Sequence, residues 1–264
     1  LLKPYITGDD ITSSALNGVG RWALDVADRE LNEIERNWPV AYRFISEVVH
    51  PTRTPAVLKS YKGLIDRWWQ FWNHRADLMR KLRQRERFIA YSKVTKHPIC
   101  MLAPSDWIYT NKVVLIGISR DDLFPICLST NFRSWLEAYS GAGLGVTLQL
   151  SISESIAKFP LPSRSVSQEG VDAALRFNDI AVAWSADHQC GLTDVMNAIH
   201  SRYNDDAQIA ELRSLFETID RHVVAAYGWL DLDVTYDFRE LGGSADSDQQ
   251  RFIVSEDVRV ETIR

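Results

Sequence analysis

The apolar residues of this chain change their spacing twice, and that pattern narrows its fold class before any single residue is considered. Leu24, Ala27, Leu31, Ile34 and Trp38 recur at steps of three and four, so the spacing predicts an amphipathic helix over 21–37 that stops at Pro39. A second helix is expected to run on to Val49, and a turn at Pro51 and Pro55 leads to helices over about 55–72 and 75–84. The runs RFIAYS, PICMLAP, WIYTNKVVLIGIS and LFPICLS then replace that period. They are short, β-branched or aromatic, and bounded by Pro, Ser and Asp, as strands of a mainly antiparallel sheet are.

NFRSWLEAYS, 131–140, returns to helical spacing with Phe132, Trp135, Leu136 and Tyr139 on one side, and a GAGLG turn and a strand VTLQL follow it. Pro160, Pro162 and Ser163 to Ser167 read as a linker. Helices are expected beyond it over 169–187, 192–201 and 207–227. The last has Asp205 or Asp206 to cap it, Ile209, Leu212, Leu215, Ile219, Val223 and Ala226 along one face, and Gly228 to end it. The expected fold is therefore α+β: a mainly antiparallel sheet with flanking helices over 1–163, then a helical C-terminal segment over 164–264.

Charge is distributed unevenly. Between Arg53 and His97 there are 12 lysines and arginines against three acids, a net of +9, whereas Asp205 to Arg264 carries 14 acids against six arginines, a net of −8. A basic segment in a chain whose overall charge is −5 is the footprint of a polyanionic partner, although a solvated helix face such as RKLRQRER has the same composition. Inside the basic segment RWWQFWNHR, 67–75, crowds three tryptophans and a phenylalanine into one stretch. Successive helical residues lie about 100° apart, so these rings must divide between surroundings. Trp68 and Trp72 are expected in the core and Trp69 against the following sheet.

Several chemistries lack their carriers. There is no GxxxxGK[ST], HExxH or GxSxG string and no Pro-Pro pair. GAGLG follows a helix and precedes a strand, the reverse of the order a nucleotide or S-adenosylmethionine loop needs to present amides at a helix N-terminus. Cys100, Cys127 and Cys190 are odd in number and widely spaced, which suits buried thiols in a reducing cytoplasm, and no metal ligand set is spaced along the chain. No stretch approaches the ~18 apolar residues of a membrane span. The chain opens on Leu1 and closes on VRVETIR, where a helix begins, so it is expected to be a piece of something longer.

Binding chemistry remains. Base edges are read by short polar side chains and Arg or Lys on rigid elements, with further cations on the phosphates. YSKVTKH joins two expected strands and offers Ser92, Lys93, Thr95, Lys96 and His97; TLQLSIS alternates Thr147, Gln149, Ser151 and Ser153 against Leu148, Leu150 and Ile152.

Taken in order, PYITGDDI, RWWQFWNHRADLMRKL, RFIAYSKVTKHPICMLAP, LSTNFRSWLEAYSGAGLG and SISESIAKFPLP resemble one family. It is the target-recognition region of large single-chain adenine-specific DNA methyltransferases: Type IIG and Type IIL (MmeI-like) restriction-modification enzymes and related defence methyltransferases of the BREX and DISARM kind. GLTDVMNAIH, DAQIAELRSLFETIDRHVVAAYGWLDLDVTYDF and RFIVSEDVR are similar to the helical segment that follows that region. The resemblance implies double-stranded DNA as partner. It also implies that S-adenosylmethionine and the NPPY-type motif belong to an N-terminal methyltransferase domain of the parent chain, with no cofactor and no catalysis in this part. It places base contacts first at Gln149 and Thr147, then Ser151; Lys93, Lys96 and His97 are expected on phosphate or base, with Arg87 and Arg133 as further contacts. Two other classes stay open: a protein-interaction module with an acidic helical tail, and a hydrolase.

Overall fold

The computed structural model describes residues 1–15, 20–53, 63–71, 76–84, 86–142, 147–240 and 250–263. The fold is α+β, with small antiparallel sheets among helices. Its contacts form two units, one of Leu1–Tyr5, Gly20–Glu86 and Ser105–Ile108, the other of Ile6–Val19, Arg87–Pro104 and Tyr109–Arg264. The expected border at 163/164 coincides with neither; residues on both sides of it belong to the second unit.

In the first unit Leu2–Ile6 pairs antiparallel with Trp22–Leu24 in the register Leu2↔Leu24, Lys3↔Ala23, Pro4↔Trp22. The helix expected over 21–37 is thus a strand in its first part, and helix begins only at Leu31–Asn37. Asp25 is the reason: its Oδ1 accepts from the Ala27 amide at 3.0 Å, and Ala27 turns to φ 52, a left-handed conformation that breaks a helix. Pro39–Phe44 continues as expected and passes into a π-helical turn over Ile45–Val49. Of the next expected helix, Gly63–Asp66 is helical and 67–69 is a turn, while 54–62 and 72–75 lie outside the described residues. Ala76–Leu82 is helical.

Val26, Ile34 and Ile45 form the core of this unit, and Trp68 and Trp69 pack against it. Trp69, expected against the following sheet, packs on this core, and its indole Nε1 donates to the Arg29 carbonyl at 2.8 Å. Trp68 stacks obliquely on His50 at 4.3 Å between centroids. A buried indole needs an acceptor for its N–H, and the carbonyl left free by the Ala27 turn region supplies one. Trp72 lies outside the described residues.

The second unit is built on Arg87–Ser92, which pairs antiparallel with Met101–Pro104 on one side and Val113–Gly117 on the other. Phe88, Ile89, Ala90 and Tyr91 are buried on both faces of this central strand. LFPICLS, expected as a strand, is instead the helix Leu123–Leu128. All six of its residues are buried, so the run carries no alternation to tell strand from helix, and Pro125 falls within the first turn, where a missing N–H costs little. Thr130–Tyr139 follows, capped by Ser129 Oγ, which accepts from the Phe132 amide at 3.4 Å.

The helices Gln168–Asp187, Leu192–His200 and Ala207–Tyr227 stand close to their expected bounds. Asp206 caps the last and Gly228, at φ 83, closes it. They are tied into the second unit by buried polar bonds: Asn178 Oδ1 accepts from the Leu102 amide at 2.9 Å, and Asp220 Oδ1 from the Thr130 amide at 2.8 Å. A hairpin of Asp237–Glu240 and Gln250–Ile253 and a helix Glu256–Glu261 complete the chain.

Candidate nucleic-acid interface

The two polar segments singled out in the sequence, some fifty residues apart, meet in one small sheet. Val94–Thr95, Leu148–Gln149 and Gly141–Ala142 pair antiparallel, with Val94↔Gln149, Thr95↔Leu148 and Gly141↔Gln149 in register. The pleat decides which side chains face out. Leu150 is wholly buried and its amide donates to the Lys93 carbonyl at 2.8 Å, so its neighbour Gln149 is exposed; Val94 is exposed as well.

Lys93 and Lys96 flank this strand and are half-buried. The Lys93 amide donates to the Lys112 carbonyl at 2.7 Å, which brings a further exposed lysine to the same edge. Lys112 was not among the residues expected from the sequence; its signal was the turn TNK between two strands. Thr147 is half-buried and Ser153 exposed, while Ser151, half-buried, uses its hydroxyl to accept from the Glu154 amide at 3.2 Å. Arg87 is exposed at the start of the central strand. Gly143 to Val146, the tip of the glycine-rich turn, lies outside the described residues.

Four of the expected contacts point inward instead. Ser92 is buried and donates to the Val94 carbonyl at 2.7 Å; Thr95 is buried and donates to the His97 carbonyl at 2.6 Å. Short hydroxyl side chains next to a turn satisfy local backbone in this way, which takes them out of reach of a partner. His97 is buried with Nε2 3.1 Å from Asn197 Oδ1, an oxygen that also accepts from Lys96 Nζ at 3.1 Å. Asn197 Oδ1 is thus an acceptor and His97 the donor through Nε2–H. Burial, with Arg251, Lys96 and Arg133 adding repulsion, pushes the His97 pKa from 6.5 down to about 4, so its ring is neutral at pH 7.

Arg133 is the fourth. Its Nη2 donates to Tyr236 OH at 2.8 Å and Thr130 Oγ1 at 3.0 Å, and its guanidinium lies 4.4 Å over the Phe216 ring. Tyr236 OH in turn donates to Asp220 Oδ2 at 2.7 Å. Arg133, expected as a further DNA contact, is the centre of a buried network whose partners include Tyr236, about a hundred residues away.

Within the basic segment, Arg67 and Lys81 are exposed, whereas Arg53 donates to the Gln70 carbonyl and Arg83 Nε to the Ser105 carbonyl at 3.0 Å. Lys59, Lys62, Arg75 and Arg85 lie outside the described residues.

Ser167 Oγ lies 2.8 Å from His222 Nδ1 and His222 Nε2 lies 3.4 Å from Glu169, a serine–histidine–carboxylate arrangement. Ser167 is the N-cap of its helix and accepts from the Gly170 amide at 3.4 Å, so the hydroxyl is held by the helix start. The described part of the glycine-rich turn runs from the Thr130–Tyr139 helix into the Gly141–Ala142 strand, and the strand Leu148–Gln149 follows beyond it. Among the described residues no three His, Cys, Asp or Glu are placed to hold a metal ion, and no helix is long and apolar enough to cross a membrane. Cys100 and Cys127 are buried thiols, and burial pushes Cys127 up to about 12.

The α+β fold has a counterpart among solved structures, in a restriction-modification enzyme. That enzyme is the Type IIL protein MmeI, solved in complex with DNA: the two folds superpose with a TM-score of 0.61 at 17% identity, over 86% of this chain and 28% of that one. At this identity the likeness establishes a shared fold, and the chain spans less than a third of that enzyme's length. No family model and no curated protein sequence matches the chain.

Proposed function

We propose that this chain is a sequence-specific double-stranded DNA-recognition module, the specificity part of a site-specific N6-adenine methyltransferase of restriction-modification or phage-defence type. The observation that carries the reading is the small sheet. It sets Gln149, an amide side chain able to donate and accept at one base edge, between Lys93, Lys96 and Lys112, cations suited to the flanking phosphates. Gln149 is the first base contact, with Thr147 and Ser153 beside it. Arg87, exposed in the same unit, adds a phosphate contact. Methyl transfer is the work of an N-terminal domain of the parent chain, which holds S-adenosylmethionine and takes the flipped adenine; this chain positions that domain.

Selection from a random duplex pool, followed by binding titrations at several salt concentrations, tests the reading. If roughly six phosphates are neutralised, log K falls against log salt with a slope of about −5. Lys93→Ala weakens all duplexes alike and reduces the slope by about one, whereas Gln149→Ala costs about 1–3 kcal/mol on the selected site and relaxes one position of it. Equal affinity for every duplex, or an affinity indifferent to salt, overturns it.

A further inference from the structure

A cleft of about 40 Å³ in the second unit is lined by His97, Thr130, Arg133, Glu137, His200, Arg251 and Arg259 among others. One water needs about 10–15 Å³ on this scale, so the cleft holds about three water-sized groups, the room a tetrahedral oxyanion occupies. Its lining is unusual for an interior: three guanidiniums and one carboxylate. Arg259 is bound to Glu137 at 2.5 Å and to Glu256 at 2.8 Å. The other two guanidiniums are not so matched. Arg133, 9% exposed, uses Nη2 on Tyr236 and Thr130 but leaves Nε without a partner, although Asp220 offers its charge through Tyr236 OH. The Arg251 side chain has no hydrogen bond or close ion pair among the described residues, although the Glu137 carboxylate attracts it and Arg259 repels it. His200 Nδ1 is likewise buried and unpartnered, in a ring 5.3 Å from that of His97.

Buried donors and charges without partners are costly, and a native structure that keeps several of them round one cleft keeps them for something that fills it. Neither imidazole adds to the positive charge: burial first, then the His97 ring and guanidiniums for His200, and Arg251, Lys96 and Arg133 for His97, depress the two rings, so arginines dominate the field. Arginine forks suit pairs of oxygens on a carboxylate or phosphoryl group, and a cleft with room for about three water-sized groups favours the tetrahedral one.

We propose that this cleft is a binding site for a phosphoryl-type oxyanion, held by Arg133 Nε, the Arg251 guanidinium and His200, with Glu137 opposing it. Two sources share that chemistry, a free phosphate or small phosphorylated molecule and a phosphate of a nucleic-acid backbone. The site stands independently of the DNA reading, since it needs only the cleft.

The test is calorimetric titration of the full chain with inorganic phosphate at constant ionic strength. Saturable binding on the order of 1 mM is expected. Arg251→Ala, a change on a half-exposed strand, weakens it about tenfold, the effect of one lost charge-assisted contact. Glu137→Gln tightens it several-fold by removing the opposing carboxylate and releasing Arg259, a gain that misfolding cannot imitate. Lys158→Ala, an exposed cation paired with Glu154 elsewhere, leaves it unchanged. Heat that never saturates, or equal affinity in wild type, Arg251→Ala and Glu137→Gln, overturns the site whatever the chain does with DNA. Repeating the titration with duplex present separates the sources: displacement of phosphate by duplex identifies a backbone phosphate, and undiminished phosphate binding identifies a free anion.

Discussion

Residue 97 shows how environment redirects a side chain that the sequence presents as a ligand. His97 follows two lysines and a threonine and looks like a phosphate contact, yet it is buried beside His200 with Arg133, Arg251 and Lys96 nearby. Its folded pKa of about 4 lies below the ordinary 6.5, so the unfolded chain binds the extra proton between those values. Stability from the neutral ring is therefore complete above pH 6.5 and lost as pH falls towards 4, by up to on the order of 3 kcal/mol. Urea denaturation at pH 7 and pH 5 checks this: wild type loses stability on acidification, and His97→Asn loses distinctly less. What was legible at this scale was chemistry, not direction. Residue type and alternation single out Lys93 and Gln149 as candidates; Ser92 and Thr95 turn inward onto carbonyls only two residues away, and Arg133 onto a partner as remote as Tyr236 that no local pattern announces.

Elements were legible where periodicity ran long. The helices after the linker stand within a residue or two of expectation because each has caps and several turns of one-sided burial. LFPICLS and the 21–37 helix failed for opposite reasons, one buried all round and the other broken by a local aspartate–amide bond. The hairpin of Asp237–Glu240 and Gln250–Ile253 gave no sign, its strands being four residues each. Two predictions belong here. A Cβ on Gly191 would lie 2.2 Å from the Ser13 amide and the Thr12 carbonyl carbon, so Gly191→Ala must push apart the starts of Leu192–His200 and the end of Gly8–Ser13. A loss of about 1–3 kcal/mol in denaturant midpoint is expected. Arg213 donates to the carbonyls of Ile199 at 2.9 Å, Ala198 at 3.2 Å and Ser201 at 2.6 Å, where the Leu192–His200 helix ends and its dipole is negative. Arg213→Ala leaves these acceptors bare and should cost about 2 kcal/mol, Arg213→Lys restoring only part of it.

At the scale of the whole molecule, the expected linker joins residues that bond to one another. Pro160, Pro162 and the serines after them look like a seam, but bonds such as Leu102–Asn178 and Thr130–Asp220 cross it inside one unit. Sequence shows where a chain turns more readily than what lies on either side of the turn. A fragment of 164–264 expressed alone should therefore keep helical circular dichroism but expose apolar faces, binding a hydrophobic dye and melting without a cooperative transition. A sharp, reversible melt with no dye binding would restore the linker as a boundary. Within the acidic C-terminal stretch Asp220 is interior and Glu211 pairs with Arg176 at 2.8 Å.

The register of the small edge sheet has a consequence for how such a protein can change. Gln149 is flanked in the sheet by Gly141, which has no side chain to crowd it, and by Val94, which is itself exposed, while the buried residue at that turn is its neighbour Leu150. Position 149 is thus uncoupled from the interior, and most side chains can occupy it at little expense in folding free energy. Under the proposed function, preference for a different base is a single replacement away, and the scaffold imposes no penalty for exploring it.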